Sequence, residues 1–198
     1  MKWKLKEVSQ ETSHPFLNFF TLTYEVDNKP NYKYFLASRH SKDNLLPCVH
    51  NLDNPDGVLI LLYYLDDAGK VSFLLTKQFR PAMGTYVYSM PAGLMDEDDK
   101  SISDVAKREA LEEAGANIDD IEIISEGGPT SSGLSDETNA IVLARITSFD
   151  KQKLEEYEDI QTKLIPRDEA LELLKRKDLF FSNDVRLAIM YLSLRFDK

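Results

Sequence analysis

The chain has 198 residues and a formal net charge of −10, with 42% hydrophobic and 29% charged residues, which is typical of a globular protein and argues against disorder. This acidic balance argues against a broad surface for nucleic acids, because such binding depends on many Lys and Arg contacts with phosphates. The sequence has neither a long apolar run nor the apolar segment of a secretory signal, so we expect a cytoplasmic protein that does not bind membranes.

Residues 1–50 are predicted to form a small subdomain of three β-strands. Alternating apolar and polar residues predict strands over 3–8, 19–26 and 32–38, and a polar segment with a proline separates the last two. Three short strands are only marginally stable alone. Because the segment is also rich in aromatic residues, we expect it to pack against a partner surface and to mediate dimerisation.

Residues 51–198 are predicted to form a larger unit in which strands and helices mix. The predicted strands are 58–65, 71–78, 86–90, 121–125, 140–146 and 160–165. The predicted helices are 101–114, 167–175 and 183–196, whereas 151–157 fits either a short helix or a loop. This irregular order of elements predicts an α+β fold.

The helix predicted over 101–114 has clear ends and an acidic face. Ser101 is placed to cap its first turn, and Gly115 is placed to end it in a left-handed conformation. Glu109, Glu112 and Glu113 are three or four residues apart, or adjacent, so all three lie on one side of the helix. Their mutual repulsion favours a bound divalent cation, and the alternative is a solvated acidic face.

The segment 108–115, Arg-Glu-Ala-Leu-Glu-Glu-Ala-Gly, follows Pro91-Ala92-Gly93, and together the two motifs resemble the Nudix box. Fourteen residues separate Gly93 from Arg108, one more than in the usual box. The acid expected in this loop is either Asp98 or Asp99. The resemblance implies a Nudix fold, which is an α/β/α sandwich around a mixed sheet.

The same resemblance implies a hydrolase that uses Mg²⁺, with Mn²⁺ as an alternative. Its metal ligands would be the Ala92 carbonyl and the carboxylates of Glu109, Glu112 and Glu113. Arg108 would orient these acids through a salt bridge and is counted among the catalytic residues.

Three further segments are similar to the ADP-ribose pyrophosphatase branch of that family. Gln78-Phe79-Arg80 implies that Arg80 binds substrate, and the loop Thr130-Ser-Ser-Gly-Leu-Ser-Asp-Glu137 implies the same for Gly133 and Glu137. In this loop Ser132 stands where the branch usually has proline. Without the resemblance, these residues are an ordinary strand-end arginine and a turn with an acid.

The third segment, Glu155-Glu156-Tyr157-Glu158-Asp159-Ile160, is similar to the acidic loop that carries the general base in this branch. A carboxylate beyond the metal ligands can take a proton from the attacking water. Glu158 is the first candidate for this base and Glu156 the second. The alternative is an exposed acidic run before a strand.

The resemblance implies hydrolysis of the diphosphate of ADP-ribose to AMP and ribose 5-phosphate by a homodimer. Other Nudix substrates remain open: a nucleoside-diphosphate sugar, a dinucleoside polyphosphate or a damaged nucleotide. A nucleotide-sensing module without catalysis is a further alternative. Other enzyme classes lack motifs here, since the three histidines have no nearby metal-ligand or nucleophile pattern. The single cysteine, Cys48, agrees with a reducing compartment.

Overall fold

The computed structural model describes residues 1–96 and 98–197. The strands are β1 (Trp3–Gln10), β2 (Asn18–Val26), β3 (Tyr32–Ser38), β4 (Gly57–Leu65), β5 (Val71–Arg80), β6 (Thr85–Ser89), β7 (Ala92–Leu94), β8 (Ala116–Pro129), β9 (Thr138–Phe149) and β10 (Ile160–Pro166). The helices are α1 (Leu46–Val49), α2 (Ile102–Ala114), α3 (Arg167–Leu173) and α4 (Asn183–Arg195). None of the described helices has the length and hydropathy needed to span a membrane.

The chain divides into two compact units. The first contains Met1–Asp56 and Glu126–Asn139, and the second contains Gly57–Ser125 and Ala140–Lys198. Both boundaries after residue 57 fall within the long strands β8 and β9. The prediction of two domains at 1–50 and 51–198 was made from sequence and stays a prediction.

The first unit contains a three-stranded antiparallel sheet in the order β1-β2-β3. One face of this sheet forms a small core in which Phe20, Leu22, Leu36 and Leu45 are buried. Strand alternation leaves the other face with exposed aromatic side chains. The unit therefore has a core on one face of its sheet and apolar surface on the other.

The second unit is built on a sheet of seven strands. Its main path runs β10-β5-β4-β9-β8, while β6 pairs with β5 and β7 pairs with β4. The apolar run of β4 is buried on both faces: Val58, Ile60 and Leu62 pack in one core with α2, and Leu59 and Leu61 pack in another with α4. Helices thus cover both faces, which confirms the predicted α+β class and its α/β/α sandwich.

Helix α2 begins and ends where local signals predict. The Ser101 hydroxyl accepts the Asp104 amide at 3.2 Å, which satisfies one free donor of the first turn. Gly115 ends the helix at φ 61°, and its amide bonds back to the carbonyls of Ala110 and Leu111. The backbone carbonyl of Asp150 lies so close that a Cβ on Gly115 would be 2.3 Å from its oxygen. Gly115 is therefore required both by its φ angle and by the lack of space.

Strands β7 and β8 depart most from the prediction, because pairing partners and not local sequence define them. The sequence predicts a strand only over 121–125, yet β8 begins at Ala116 and ends at Pro129. Its acidic residue Asp119 is accommodated by a two-bond ion pair with Arg145 of β9, at 2.7 and 2.9 Å. Strand β7 was not predicted, since three residues carry no periodicity, and it forms through register with β4.

The two roles of Gly115 predict a large loss of stability in Gly115→Ala. We expect the free energy of unfolding to fall by about 2–4 kcal/mol, because the new Cβ meets backbone that cannot rotate away. The matched control is Gly69→Ala, since Gly69 also has a positive φ, 76°, but open space around its Cβ position. This control should lose only about 1 kcal/mol. Urea denaturation of both variants measures the difference, and equal losses would contradict the steric explanation.

Candidate functional site

A polar cavity of about 350 Å³ opens in the second unit. It is bounded by the end of β5, by β7, by the acidic face of α2 and by the loop that precedes β10. Its lining residues are mostly charged or polar: Gln78, Arg80, Ala92, Gly93, Leu94, Asp96, Arg108, Glu109, Glu112, Glu113, Lys153, Glu155 and Glu158. Seven of the ten site residues predicted from sequence line it: Arg80, Ala92, Arg108, Glu109, Glu112, Glu113 and Glu158.

The three acids of α2 differ in their exposure. Glu109 and Glu113 are buried, with 8% and 5% of their surface exposed, while Glu112 is half-buried. Burial raises the pKa of Glu113 to about 7, and the nearby charges of Glu109 and Glu158 act in the same direction. Burial also raises the pKa of Glu109. Because both carboxyl groups ionise less readily than usual, an additional positive charge nearby would stabilise their charged forms.

Arg108 supplies part of that positive charge. Its Nη1 donates to Glu109 at 2.6 Å and to Glu112 at 3.3 Å, and its Nη2 donates to Asp99 at 2.8 Å and to the Leu94 carbonyl at 2.9 Å. The bond from Arg108 holds the pKa of Asp99 below its usual range. Of the two loop acids that the sequence left open, Asp99 is thus the one that pairs with Arg108.

The backbone of β7 approaches the acids closely. A Cβ on Gly93 would lie 1.8 Å from Oε1 of Glu109, so any larger residue would displace that carboxylate from the position in which it accepts from Arg108. The amide of Ala92 donates to Oε2 of Glu113 at 3.0 Å. The register of β7 with β4 fixes both contacts, since Leu59 pairs with Ala92 and Val58 with Gly93.

The donor set fits a hard divalent cation, which prefers carboxylate oxygens. In residues 1–96 and 98–197, no three His, Cys, Asp or Glu side chains are already arranged around a common metal position. The three acids are instead bonded through one oxygen each, to Arg108 or to the Ala92 amide. Within the described chain their second oxygens have no protein donor, so each carboxylate keeps an oxygen that could bind a cation.

Two cationic side chains besides Arg108, those of Arg80 and Lys153, line the same cavity. Arg80 is the last residue of β5, and its charge lowers the pKa of Glu113. Lys153 comes from the loop before β10, where its amide donates to the Glu112 carbonyl at 2.9 Å. Lys153 was not among the residues predicted from the sequence, although a cation that precedes an acidic run was a usable signal. An anionic group would be held from both of these positions.

The two candidate bases of the acidic loop differ in position. Glu158 is half-buried, lines the cavity and raises the pKa values of Glu109 and Glu113 by its charge. Glu156 is exposed and lies in the turn of the loop, away from the lining. Segment 151–157, for which helix and loop were both open, is a loop with a turn.

Gly133 and Glu137 belong to the first unit. Glu137 accepts the Thr130 hydroxyl at 2.8 Å and lies 3.5 Å from Arg39. The Gly133 carbonyl accepts the Tyr34 hydroxyl at 2.6 Å. Both residues thus have local partners within the loop and the neighbouring strand.

This chain is similar in sequence to proteins of one family and similar in fold to a solved structure. A model of the NUDIX domain matches residues 53–183. A relative from Schizosaccharomyces pombe (strain 972 / ATCC 24843), described as an uncharacterized Nudix hydrolase, is 34% identical in an alignment of 152 residues, and the match covers 71% of this chain and 71% of the relative. A crystal structure of an ADP compounds hydrolase superposes with a TM-score of 0.76 over 100% of this chain and 95% of that one, at 15% identity.

The raised pKa of Glu113 predicts a pH dependence of stability in the metal-free protein. The unfolded chain loses this proton near pH 4.5 and the folded chain near pH 7. Between these two pH values the folded state binds more protons than the unfolded state, so the free energy of unfolding falls as the pH rises. Glu113→Gln removes this titration. In EDTA at pH 8 we expect the variant to be more stable than the parent, by at most about 3 kcal/mol.

Chemical denaturation at pH 4.5, 6 and 8 in EDTA measures this difference. The gain of Glu113→Gln should grow with pH across the window and level off above about pH 7. The control is Glu169→Gln, because Glu169 is an exposed acid on α3. A gain that does not change with pH would contradict the burial of an ionisable Glu113.

Proposed function

Because this chain belongs to the Nudix family, whose hydrolases act on nucleotide derivatives with divalent cations, we propose that it hydrolyses ADP-ribose to AMP and ribose 5-phosphate. The observation that carries the proposal is one cavity whose lining combines acidic and cationic side chains. Glu109, Glu112 and Glu113 of α2 line it together with Arg80 and Lys153. Such a pairing suits a metal-bound diphosphate better than either partner alone.

In this proposal the α2 acids hold the cation through their free carboxylate oxygens, together with the Ala92 carbonyl. When bound, Mg²⁺ or Mn²⁺ would acidify the attacking water and offset the charge of the diphosphate. Arg108 keeps Glu109 and Glu112 in place through its two bonds. Gly93 leaves the space that the Glu109 carboxylate needs.

The remaining residues act on the substrate and the water. Arg80 and Lys153 bind diphosphate oxygens, and the fork of the Arg80 guanidinium allows two bonds to one phosphate. Glu158 takes a proton from the attacking water, since it lines the cavity while Glu156 is exposed. The new bond joins the water oxygen to one phosphorus, and the bond from that phosphorus to the bridging oxygen breaks.

The choice of ADP-ribose rests on two supports of different kinds. The segments around Arg80, Gly133 and Glu137 are similar to those of the ADP-ribose pyrophosphatase branch, and we retain Gly133 and Glu137 as substrate-binding residues. The superposed crystal structure is that of an ADP compounds hydrolase. Both supports favour a nucleoside diphosphate with adenine as its base.

We also propose that the protein is a cytoplasmic homodimer formed through the sheet of the first unit. The face of that sheet opposite its core exposes Phe19 and Phe35, whose rings stack with centroids 5.9 Å apart. On the core side of the sheet, Trp3 packs edge-on against Tyr32 at 5.5 Å. Trp3, Phe19, Tyr32 and Phe35 are each between 40% and 56% exposed. An apolar surface of this kind is typical of a protein interface. The exposed free thiol of Cys48 agrees with a reducing compartment.

The proposed activity predicts AMP when the protein is incubated with ADP-ribose and Mg²⁺, and none when EDTA is added. Glu112→Gln and Glu113→Gln should lower kcat by about 100-fold or more, because each removes a charged ligand from the metal. Chromatography of the nucleotides measures the product. The control is Glu169→Gln on α3, which should keep the parent rate.

Nucleoside-diphosphate sugars, dinucleoside polyphosphates and oxidised nucleoside triphosphates are assayed in parallel. If one of these compounds is hydrolysed faster, it is the substrate in place of ADP-ribose. The proposed metal site would still stand. Binding of ADP-ribose in calorimetry without any product from the panel would contradict hydrolysis and favour a nucleotide sensor.

The proposed dimer predicts a mass of twice 22.7 kDa in sedimentation at micromolar concentration. Phe35→Asp should shift the protein to the monomer, since it places a charge beside Phe19 on the exposed face of the sheet. The matched control is Phe180→Asp, because Phe180 is 59% exposed but lies in the second unit. A parent protein that sediments only as a monomer would contradict the proposal.

A further inference from the structure

The loop between β9 and β10 carries Glu158, and its first end is tied to helix α2. The Asp150 amide donates to the Gly115 carbonyl at 2.6 Å, and the Lys153 amide donates to the Glu112 carbonyl at 2.9 Å. The side chain of Gln152 donates to the carbonyl of Glu113. These bonds use carbonyls that the end of a helix leaves free. The first end of the loop is therefore fixed to the element that carries the acids.

The second end of the loop is tied to the hairpin of β5 and β6. The Tyr86 hydroxyl donates to the carboxylate of Asp159, and the Phe79 amide donates to the Asp159 carbonyl at 3.2 Å. Asp159 directly follows Glu158 and directly precedes β10. Its two bonds therefore fix the backbone next to the candidate base.

The centre of the loop has only internal bonds among the described residues. The Glu158 amide donates to the Glu155 carbonyl at 3.1 Å, and the Glu155 amide donates to Oε2 of Glu158 at 3.0 Å. Both residues line the cavity beside the acids of α2, and the charge of Glu158 repels the charges of Glu109 and Glu113. Bonds at the two ends of this short acidic turn oppose that repulsion.

We propose that Tyr86 is a positioning residue for catalysis, which holds Glu158 at the cavity through its bond to Asp159. This inference rests on the proposed function, because Tyr86 affects the rate only through Glu158, the proposed general base. Tyr86 is not among the residues that line the cavity, so we assign it no direct role in substrate binding.

The Tyr86 ring is itself held in one orientation. It packs edge-on against Phe79, its partner across the β5–β6 ladder, with ring centroids 5.5 Å apart. The Lys77 ammonium lies 4.8 Å from the ring centroid on the same face of β5. The bond to Asp159 also raises the pKa of Tyr86, so the hydroxyl keeps its proton and remains a donor. Removing the hydroxyl would leave the ring packing intact.

The test compares Tyr86→Phe with the matched control Tyr88→Phe. Tyr88 lies two residues along the same face of β6, where its ring stacks on Phe181 and its hydroxyl has no bond to the described side chains. We expect Tyr86→Phe to lower kcat about three- to tenfold, the range for loss of one hydrogen bond, with KM unchanged. Tyr88→Phe should change neither.

Two further variants connect Tyr86 to Glu158. Asp159→Asn keeps an acceptor for the Tyr86 hydroxyl and should retain most of kcat, whereas Asp159→Ala should match Tyr86→Phe. In a Glu158→Gln background, Tyr86→Phe should cause no further loss, because the base it positions is already absent. A full additional loss in that background, or an equal change in KM, would overturn the proposal.

Hydrogen exchange of the Glu155 and Glu158 amides tests, without any substrate, whether the bond from Tyr86 to Asp159 holds the loop. Both should exchange faster in Tyr86→Phe than in the parent or in Tyr88→Phe, and unchanged exchange would overturn the proposal even if kcat fell. If the proposed function is wrong, the result differs. The parent would then form no product from any nucleotide, while the exchange result still decides whether Tyr86 holds the loop.

Discussion

Two carboxylates buried side by side on one helix are the constraint on which the site depends. Glu109 and Glu113 lie one turn apart on α2 with less than a tenth of their surface exposed. Burial and mutual repulsion both disfavour their charged forms. Such a pair is costly for folding and is retained where the charge has a use. Arg108 offsets part of the repulsion, and a bound cation would offset the rest.

The neighbouring backbone is shaped to accept this buried charge. The Ala92 amide bonds one carboxylate and Gly93 leaves room for the other. Both residues are in β7, a strand of three residues that exists through its pairing with β4. The largely buried, apolar part of β4 thus supports an acidic site indirectly, because its register decides where these two residues lie.

The charges of the cavity come from distant parts of the sequence. Arg80 ends β5, the acids come from α2, and Lys153 and Glu158 come from the loop before β10. A chain with a net charge of −10 can therefore present two cations to an anionic ligand at one place. The loop before β10 brings a cation and an acid together, and its bonds to α2 and β6 hold both in place.

The sequence by itself determined the elements whose signals are local. Helix α2, its Ser101 cap and its Gly115 end follow from propensity and capping, and the placement of three acids on one face follows from helix geometry. The sequence also carries the motifs that identify the family. Tertiary structure decided strand β7, the extent of β8, the choice of Asp99 over Asp98 as the partner of Arg108, and the presence of Lys153 in the cavity. These depend on strand register and on contacts between residues far apart in the chain, which local patterns do not encode.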